Sequence, residues 1–148
     1  MTGPVFVDSN ILVYRRDSAI LDKQQQAERW IQLLWKRRAG RVSVQVLNEF
    51  YVTVTRKLSP GLSATRAQEE VRDLFAWKPV PLSVDVVEGA FSLEDRYGFS
   101  YWDSLILSAA QVSGCSIVLS EDLQDSQEMD RLTIVNPFLH GPELLDER

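Results

Sequence analysis

Residues 4–10 of the chain read PVFVDSN, in which the apolar run Val5–Val7 is followed at once by Asp8. A continuous apolar run of this kind is typical of a strand that is buried on both faces of a sheet. A carboxylate at the end of such a strand is costly unless a positive group meets it. Aspartate is also a good N-cap, so Asp8 has a structural explanation at the start of the next helix. Both interpretations place Asp8 at a junction between a buried strand and a helix.

Three further acidic segments lie along the chain. Their carboxylates are Glu49 in LNEFY (47–51), Asp103 in YWDS (101–104), and Asp122 with Asp125 in SEDLQD (120–125). The last segment follows the apolar run 116–119, and its two aspartates are also explained as ordinary turn residues. If the fold gathers the acids, the least costly partner is a divalent cation held by hard oxygen ligands. The pattern therefore points to metal-dependent phosphate chemistry.

Two of these acids have specific structural alternatives. Glu49 lies in an almost wholly apolar helical segment, so it needs a water-facing cleft or an ion pair, for which Arg56 and Lys57 are the candidates. Asp103 stands three residues after Ser100, which is the spacing of a capping box. A carboxylate in the first turn of a helix is also favoured by the helix dipole, so Asp103 can serve both purposes.

Strand-like and helix-like segments alternate from end to end, which predicts one α/β domain over residues 1–148 with three layers, α/β/α, and a mostly parallel central sheet. The predicted strands are 5–7, 41–44, 80–82, 116–119 and 132–135. The predicted helices are 9–16, 23–38, 45–58, 64–76, 83–97 and 101–112. If the first and fourth strands are neighbours, Asp8 and Asp122 meet at the carboxyl edge of the sheet, where such folds bind ligands.

Composition excludes several classes of protein. Cys115 is the only cysteine and His140 the only histidine, so neither an internal disulfide nor a His-based triad or zinc cluster is available. No segment approaches the ~20 apolar residues of a membrane span, and no basic, apolar leader precedes the first strand, so we expect a cytoplasmic protein without membrane contact. The net charge of −5 weakens a nucleic-acid function without excluding it, because bound metal would neutralise the acidic cluster.

Taken together and in order, the four acidic segments resemble those of the PIN-domain nucleases, in particular the VapC-like toxin ribonucleases of type II toxin–antitoxin systems. The resemblance extends over essentially the whole chain. It implies a mostly parallel sheet of about five strands and a Mg²⁺- or Mn²⁺-dependent endoribonuclease. In such an enzyme a metal-activated water cleaves the RNA phosphodiester and leaves 5′-phosphate and 3′-hydroxyl ends.

The same resemblance implies roles for individual residues. It matches the core acids of the family to Asp8, Glu49 and Asp103, and the fourth acid to Asp122. It matches an additional metal ligand to Asp125, and supporting polar residues to Ser9 and Asn10. It also implies a cognate antitoxin protein that covers the acidic groove, and a homodimer. Core packing is the expected role of the neighbouring Trp102, with base stacking as the alternative.

Other functions are less consistent with the residues. A phosphatase of the haloacid dehalogenase type needs a second aspartate where the chain has Asn10, and a receiver domain needs an acidic pair that the segment around Asp8 lacks. Two alternatives stay open within the resemblance. One is a PIN-domain nuclease that processes RNA or DNA without being a toxin, and the other is a catalytically silent binding module.

Overall fold

The computed structural model describes residues 3–147, so Met1, Thr2 and Arg148 of the predicted 1–148 domain lie outside the described residues. Its strands are β1 (Val5–Val7), β2 (Gly40–Arg41), β3 (Ile117–Leu119), β4 (Glu128–Met129) and β5 (Leu132–Val135). Its α-helices are α1 (Ser9–Tyr14), α2 (Leu21–Arg37), α3 (Val44–Val52), α4 (Ala64–Asp73), α5 (Val84–Tyr97) and α6 (Tyr101–Val112). A π-helical turn, Thr53–Lys57, extends α3, and two 3₁₀ segments span Leu74–Trp77 and Pro142–Glu147.

The strands form one five-stranded sheet in the order β2-β1-β3-β5-β4. All neighbouring pairs are parallel except β4 and β5, and β1 lies directly beside β3 with Val7 opposite Leu119. Successive strand residues point to opposite faces of a sheet. Because every residue of β1 and β3 is buried, both faces of the sheet are covered. The predicted three-layer α/β fold and the pairing of these two strands are confirmed.

Serine side chains begin four of the helices. In each case the hydroxyl oxygen accepts a hydrogen bond from the backbone N–H three residues later, which pairs a donor that the helix leaves free. These N-caps are Ser43, Ser63, Ser83 and Ser100. Helix α5 ends at Gly98, whose φ of 74° is the left-handed conformation that glycine adopts without strain.

The sheet differs from the prediction at its second strand and at two weaker places. The second strand was expected at 41–44, but β2 is only Gly40–Arg41, because Ser43 caps helix α3 and Val44 is the first residue of that helix. Residues 80–82 were expected to form a strand, but only Val80 pairs, in an isolated bridge with Ser43. Strand β4 was not expected, because Glu128 and Met129 form only two residues of an antiparallel edge and carry no apolar run. The hydrophobic pattern is too short at both places to identify a strand.

The two sides of the core are filled by large aromatic residues. Trp30 and Phe6 are fully buried, and Phe50 and Trp77 are 2% exposed. The rings of Trp35 and Trp77 lie with their centroids 5.1 Å apart at an interplanar angle of 46°. Among residues 3–147, no helix is both long enough and apolar enough to cross a membrane.

Gly40 is a position where the packing excludes a side chain. A Cβ at this residue would lie 2.4 Å from a ring carbon of Trp77, closer than van der Waals contact permits. We therefore expect Gly40→Ala to lower the free energy of unfolding by about 1–3 kcal/mol, the usual cost of overpacking a core. Urea denaturation measures this change. Gly3→Ala is the matched control, since its Cβ would meet nothing within 4 Å, and an equal loss in both variants would contradict the prediction.

Candidate functional site

Asp8 lies at the carboxyl end of β1, where its side chain begins helix α1. One carboxylate oxygen accepts a hydrogen bond from the backbone N–H of Ser9 at 2.7 Å. The other accepts a bond of 2.8 Å from the hydroxyl of Ser120, which follows the neighbouring strand β3. The residue is only 7% exposed. Asp8 is therefore both the N-cap that the sequence suggested and a buried carboxylate at the edge of the sheet.

Asn10 connects the loops that follow β1 and β3. Its amide nitrogen lies 3.2 Å from oxygen atoms of Asp8, Ser120 and Asp122. Its carbonyl oxygen accepts a hydrogen bond from the backbone N–H of Glu121. One neutral side chain thus joins two of the predicted acids, and it holds the loop after β3 against the start of α1.

Glu49 reaches the same edge from helix α3. Its side chain is exposed, and one oxygen accepts a hydrogen bond of 3.0 Å from the hydroxyl of Ser9, while the other accepts one of 3.3 Å from Gln45. Within residues 3–147 it forms no ion pair with Arg56 or Lys57. The water-facing cleft, and not the ion pair, is the explanation that the structure supports.

Asp103 stands in the first turn of α6, and its backbone N–H is capped by Ser100 as the sequence suggested. Its carboxylate has no hydrogen-bond or ion-pair partner in the described part of the chain. The carbonyl of the preceding residue, Trp102, accepts a 3.4 Å bond from Gln45, the same side chain that contacts Glu49. Asp103 is therefore linked to the cluster only through its neighbour in the chain. The indole of Trp102 is 63% exposed, so the prediction that it packs in the core was wrong.

Asp125 is not part of the acidic cluster, which consists of Asp8, Glu49, Asp103 and Asp122. One of its oxygens accepts a 2.8 Å hydrogen bond from the backbone N–H of Asn136, and the other lies 2.9 Å from Nε2 of His140. Burial tends to raise the pKa of Asp125, but these partners hold it below its ordinary value. Asp125 thus closes the loop between β3 and β5, and a role for it as a metal ligand stays a prediction.

The electrostatics of the cluster centre on Asp8. Burial raises its pKa from 3.8 to about 6, while the bonds from Ser120 and the backbone of Ser9 act in the opposite direction. The negative charges of Glu49 and Asp122 raise it further. The cluster therefore holds more negative charge than its own hydrogen bonds balance.

The donor set suits a hard divalent cation. Oxygen atoms of carboxylates are the preferred ligands of Mg²⁺, and none of the four clustered acids is ion-paired with a lysine, arginine or histidine within residues 3–147. In that part of the chain, no three His, Cys, Asp or Glu side chains are close enough together to form a complete metal site on their own. Neutral donors from Ser9 and Asn10 separate the carboxylates instead.

Ser120 and Gln45 are site residues that sequence reasoning missed. Ser120 is fully buried and bonds to Asp8, and Gln45 joins the helices that carry Glu49 and Asp103. The available signal for Ser120 was its position directly after the apolar run 116–119, which corresponds to the position of Asp8 after β1. Gln45 gives no such signal, because one glutamine near a helix start is common on any surface.

Removing the hydroxyl of Ser120 should raise the pKa of Asp8 above about 6, because this hydrogen bond stabilises the charged carboxylate. An NMR titration of the side-chain carboxyl carbons in Ser120→Ala, without added metal, measures the change. Ser113→Ala is the control, since that hydroxyl bonds to the carbonyl of Ala109 at the end of α6. An Asp8 pKa that is unchanged in Ser120→Ala would show that the bond does not form in solution.

Residues 5–132 match the family model of the PIN domain. Among curated proteins, none matches the sequence significantly.

Several solved structures share the fold. A toxin–antitoxin complex from Klebsiella pneumoniae superposes with a TM-score of 0.62 at 18% identity, covering 90% of this chain and 97% of that one. VapBC2 from Rickettsia felis, bound to a DNA fragment from its promoter, gives 0.60 at 18% identity, covering 88% and 96%. Mycobacterium tuberculosis VapC20, described as a sarcin–ricin loop cleaving toxin, gives 0.56 at 16% identity, covering 77% and 86%.

Proposed function

This chain belongs to the PIN-domain family, and from that premise we propose that it is a Mg²⁺- or Mn²⁺-dependent endoribonuclease that acts as the toxin of a toxin–antitoxin pair. The observation that carries the proposal is the buried carboxylate of Asp8 in an acidic cluster without a cationic side chain. A pKa raised to about 6 means that the folded protein holds this negative charge at a cost. A bound divalent cation would remove that cost.

The proposed cation ligands are Asp8, Glu49, Asp103 and Asp122. When bound there, a divalent cation would supply Lewis-acid catalysis for phosphodiester hydrolysis. Ser120 and Asn10 hold the Asp8 carboxylate in one orientation, so that its second oxygen faces the loop of Asp122.

The polar residues around the acids position them without adding charge. Ser9 and Gln45 each donate a hydrogen bond to one oxygen of Glu49, whose side chain stays exposed to solvent and substrate. The carboxylate of Asp103 has no partner in the described part of the chain, so it is available to orient an attacking water or to bind the cation. Attack by water in line with the leaving oxygen would give 5′-phosphate and 3′-hydroxyl products.

RNA is the proposed substrate for two reasons. The exposed indole of Trp102, next to Asp103, offers a flat apolar face on which an unstacked base can pack. Among the structural neighbours, VapC20 of M. tuberculosis is described as cleaving the sarcin–ricin loop. A single-stranded or looped RNA has bases exposed in the way that such a surface requires.

The proposal includes two protein partners. The neighbours include a toxin–antitoxin complex, so we propose a cognate antitoxin that covers the acidic groove and presents an arginine or lysine to its carboxylates. We also propose a homodimer, formed through apolar helix surfaces. Cellular RNA and a co-expressed antitoxin would be met in the cytoplasm, which is the location that we propose.

Incubation of the purified protein with end-labelled single-stranded RNA tests the proposal. We expect cleavage with Mg²⁺ or Mn²⁺, none with EDTA, and products that carry 5′-phosphates. Cleavage of single-stranded DNA at a comparable rate would favour a processing nuclease over a ribonuclease toxin. Binding of RNA without cleavage under any metal would contradict an enzymatic function and favour the silent binding module.

A further inference from the structure

A cavity of about 380 Å³ lies near the start of β2, away from the acidic cluster. It is lined by Trp35, Arg38, Arg41, Ala76, Trp77 and Lys78. The acidic cluster lies at the carboxyl ends of β1 and β3, whereas β2 begins beside the first residue of β1. The volume falls in the range of pockets that bind small organic groups.

The positive charges around this cavity are not neutralised by the protein. Within residues 3–147, Arg38, Arg41 and Lys78 form no ion pair, and no acidic residue lines the cavity. The guanidinium of Arg41 donates only to backbone carbonyls, at 2.8 Å to Gly40 and 3.4 Å to Arg38. In contrast, Arg37 pairs with Asp146 at 2.7 Å. In a chain of net charge −5, three unpaired cations around one cavity favour an anionic ligand.

The two tryptophans supply a ring surface and an unused hydrogen-bond donor. Trp35 is half-buried, and its ring packs against that of Trp77. Trp77 is 2% exposed, yet its buried indole nitrogen has no acceptor among residues 3–147. The half-buried ring of Trp35 is therefore the part of this pair that a ligand in the cavity can contact.

The backbone gives a third, independent indication. Arg38 and Lys78 both have φ of 54°, and they end α2 and the 3₁₀ segment Leu74–Trp77. Glycine occupies such left-handed positions without strain, whereas any residue with a Cβ is penalised there. Two left-handed positions that carry cations and border the same cavity favour a binding role for these side chains.

We propose that this cavity binds one nucleotide of a single-stranded RNA, with its base against Trp35 and its phosphate among Arg38, Arg41 and Lys78. A polyanion with flat bases satisfies the cations and the rings together. The cavity and the acidic cluster lie toward opposite ends of β1, so one RNA chain that contacts both would extend over at least about 10 Å. The inference rests on the proposed ribonuclease function and gives the enzyme an anchoring site for its substrate.

Binding of a fluorescein-labelled single-stranded RNA, followed by anisotropy at several salt concentrations, tests this site. The measurements use the Asp8→Asn background, so that the probe is not cut. Arg38→Gln with Lys78→Gln should weaken binding on the order of tenfold and lower the salt slope by about 0.7, the contribution of the one phosphate that the cavity holds. Lys36→Gln with Arg37→Gln is the control, because it removes the same total charge, from the last turn of α2 next to Arg38, without changing a residue that lines the cavity.

Equal losses in the two double variants would overturn the inference, since they would show only the general effect of charge. Unchanged RNA binding, combined with loss of binding to a labelled peptide of alternating glutamate and tryptophan, would assign the cavity to a protein partner and overturn it as well. Cleavage by the wild-type protein is measured in parallel. If the wild-type protein cleaves RNA but the cavity variants bind RNA as well as their parent does, this inference fails and the proposed function stands. If RNA binds at the cavity but is never cut, the proposed function fails and the binding site stands.

Glycine variants separate binding from folding. Arg38→Gly and Lys78→Gly remove the backbone strain together with the cation, so the melting temperature should stay constant or rise while RNA affinity falls. A fall in melting temperature with unchanged affinity would assign both side chains to stability and contradict a binding role.

Discussion

Replacing Asp8 with asparagine should lower the rate of RNA cleavage roughly a thousandfold or more. The substitution keeps the shape of the side chain and one acceptor oxygen, so the hydrogen bond from Ser9 or Ser120 can persist. It removes the one buried carboxylate of the cluster and with it the strongest reason for a cation to bind. Initial rates on end-labelled RNA at saturating Mn²⁺ measure the loss.

The control for this variant is Asp130→Asn, which removes the same charge from the protein. Asp130 is exposed and pairs with Arg96, outside the acidic cluster. We expect its cleavage rate to stay within a fewfold of the wild-type rate. An Asp8→Asn protein that is folded and as active as Asp130→Asn would contradict the assignment of the cluster as the catalytic site.

The fold was largely predictable because its central strands carry an unambiguous pattern. Val5–Val7 and residues 117–119 are short, wholly apolar runs, each followed by a polar turn, and this is the pattern of parallel strands covered on both faces. The two-residue strand β4, Glu128–Met129, was not predictable. It forms because it pairs with the antiparallel strand β5, and its own composition does not indicate a strand. The helix predicted at 23–38 extends from Leu21 to Arg37, and Arg38 is left-handed. The sequence does not indicate this conformation, because glycine is the usual residue at such a position.

The sequence indicated which candidate acids lie close together, but not how they are connected. The sequence identified Asp8, Glu49 and Asp122, which the structure connects through the neutral donors Ser9 and Asn10. Spacing along the chain does not reveal such bridges, because they join residues that lie up to 112 positions apart.

Glu121 is a second residue whose contacts the sequence does not indicate. It accepts hydrogen bonds from the hydroxyl of Tyr14 and from the ammonium of Lys23. Burial acts to raise the pKa of Glu121, but the bonds from these two residues hold it below the ordinary value. The partners that set the pKa of Glu121 lie on helices α1 and α2, far away in the sequence. The residues around position 121 therefore do not predict them.

In the metal-free protein, protonated Asp8 should contribute about 3 kcal/mol of stability at low pH that is lost as the pH rises through about 6, and Asp8→Asn should abolish this loss. The pKa of Asp8 is about 6 in the folded protein and 3.8 without its environment. Between these values the folded state keeps a proton that the unfolded state has released, so rising pH favours unfolding. The stabilising contribution of the proton is complete below pH 3.8 and is lost as the pH passes 6. At about 1.4 kcal/mol for each tenfold change in proton affinity, the difference gives the stated magnitude.

Urea denaturation in EDTA at several pH values, for the wild-type protein and Asp8→Asn, measures this contribution. Acids with lowered pKa values, such as Asp125, act in the opposite direction in both proteins, so the difference between the two curves isolates Asp8. Adding Mg²⁺ at pH 7 should then stabilise the wild-type protein more than the variant, because a cation that binds only the folded state shifts the equilibrium toward it. If the stability curves of the wild-type protein and Asp8→Asn against pH are parallel and neither responds to Mg²⁺, then ionising Asp8 does not destabilise the fold and Asp8 is not a cation ligand. The expected curves would show that the fold gives up stability at this carboxylate, and that the cation restores it.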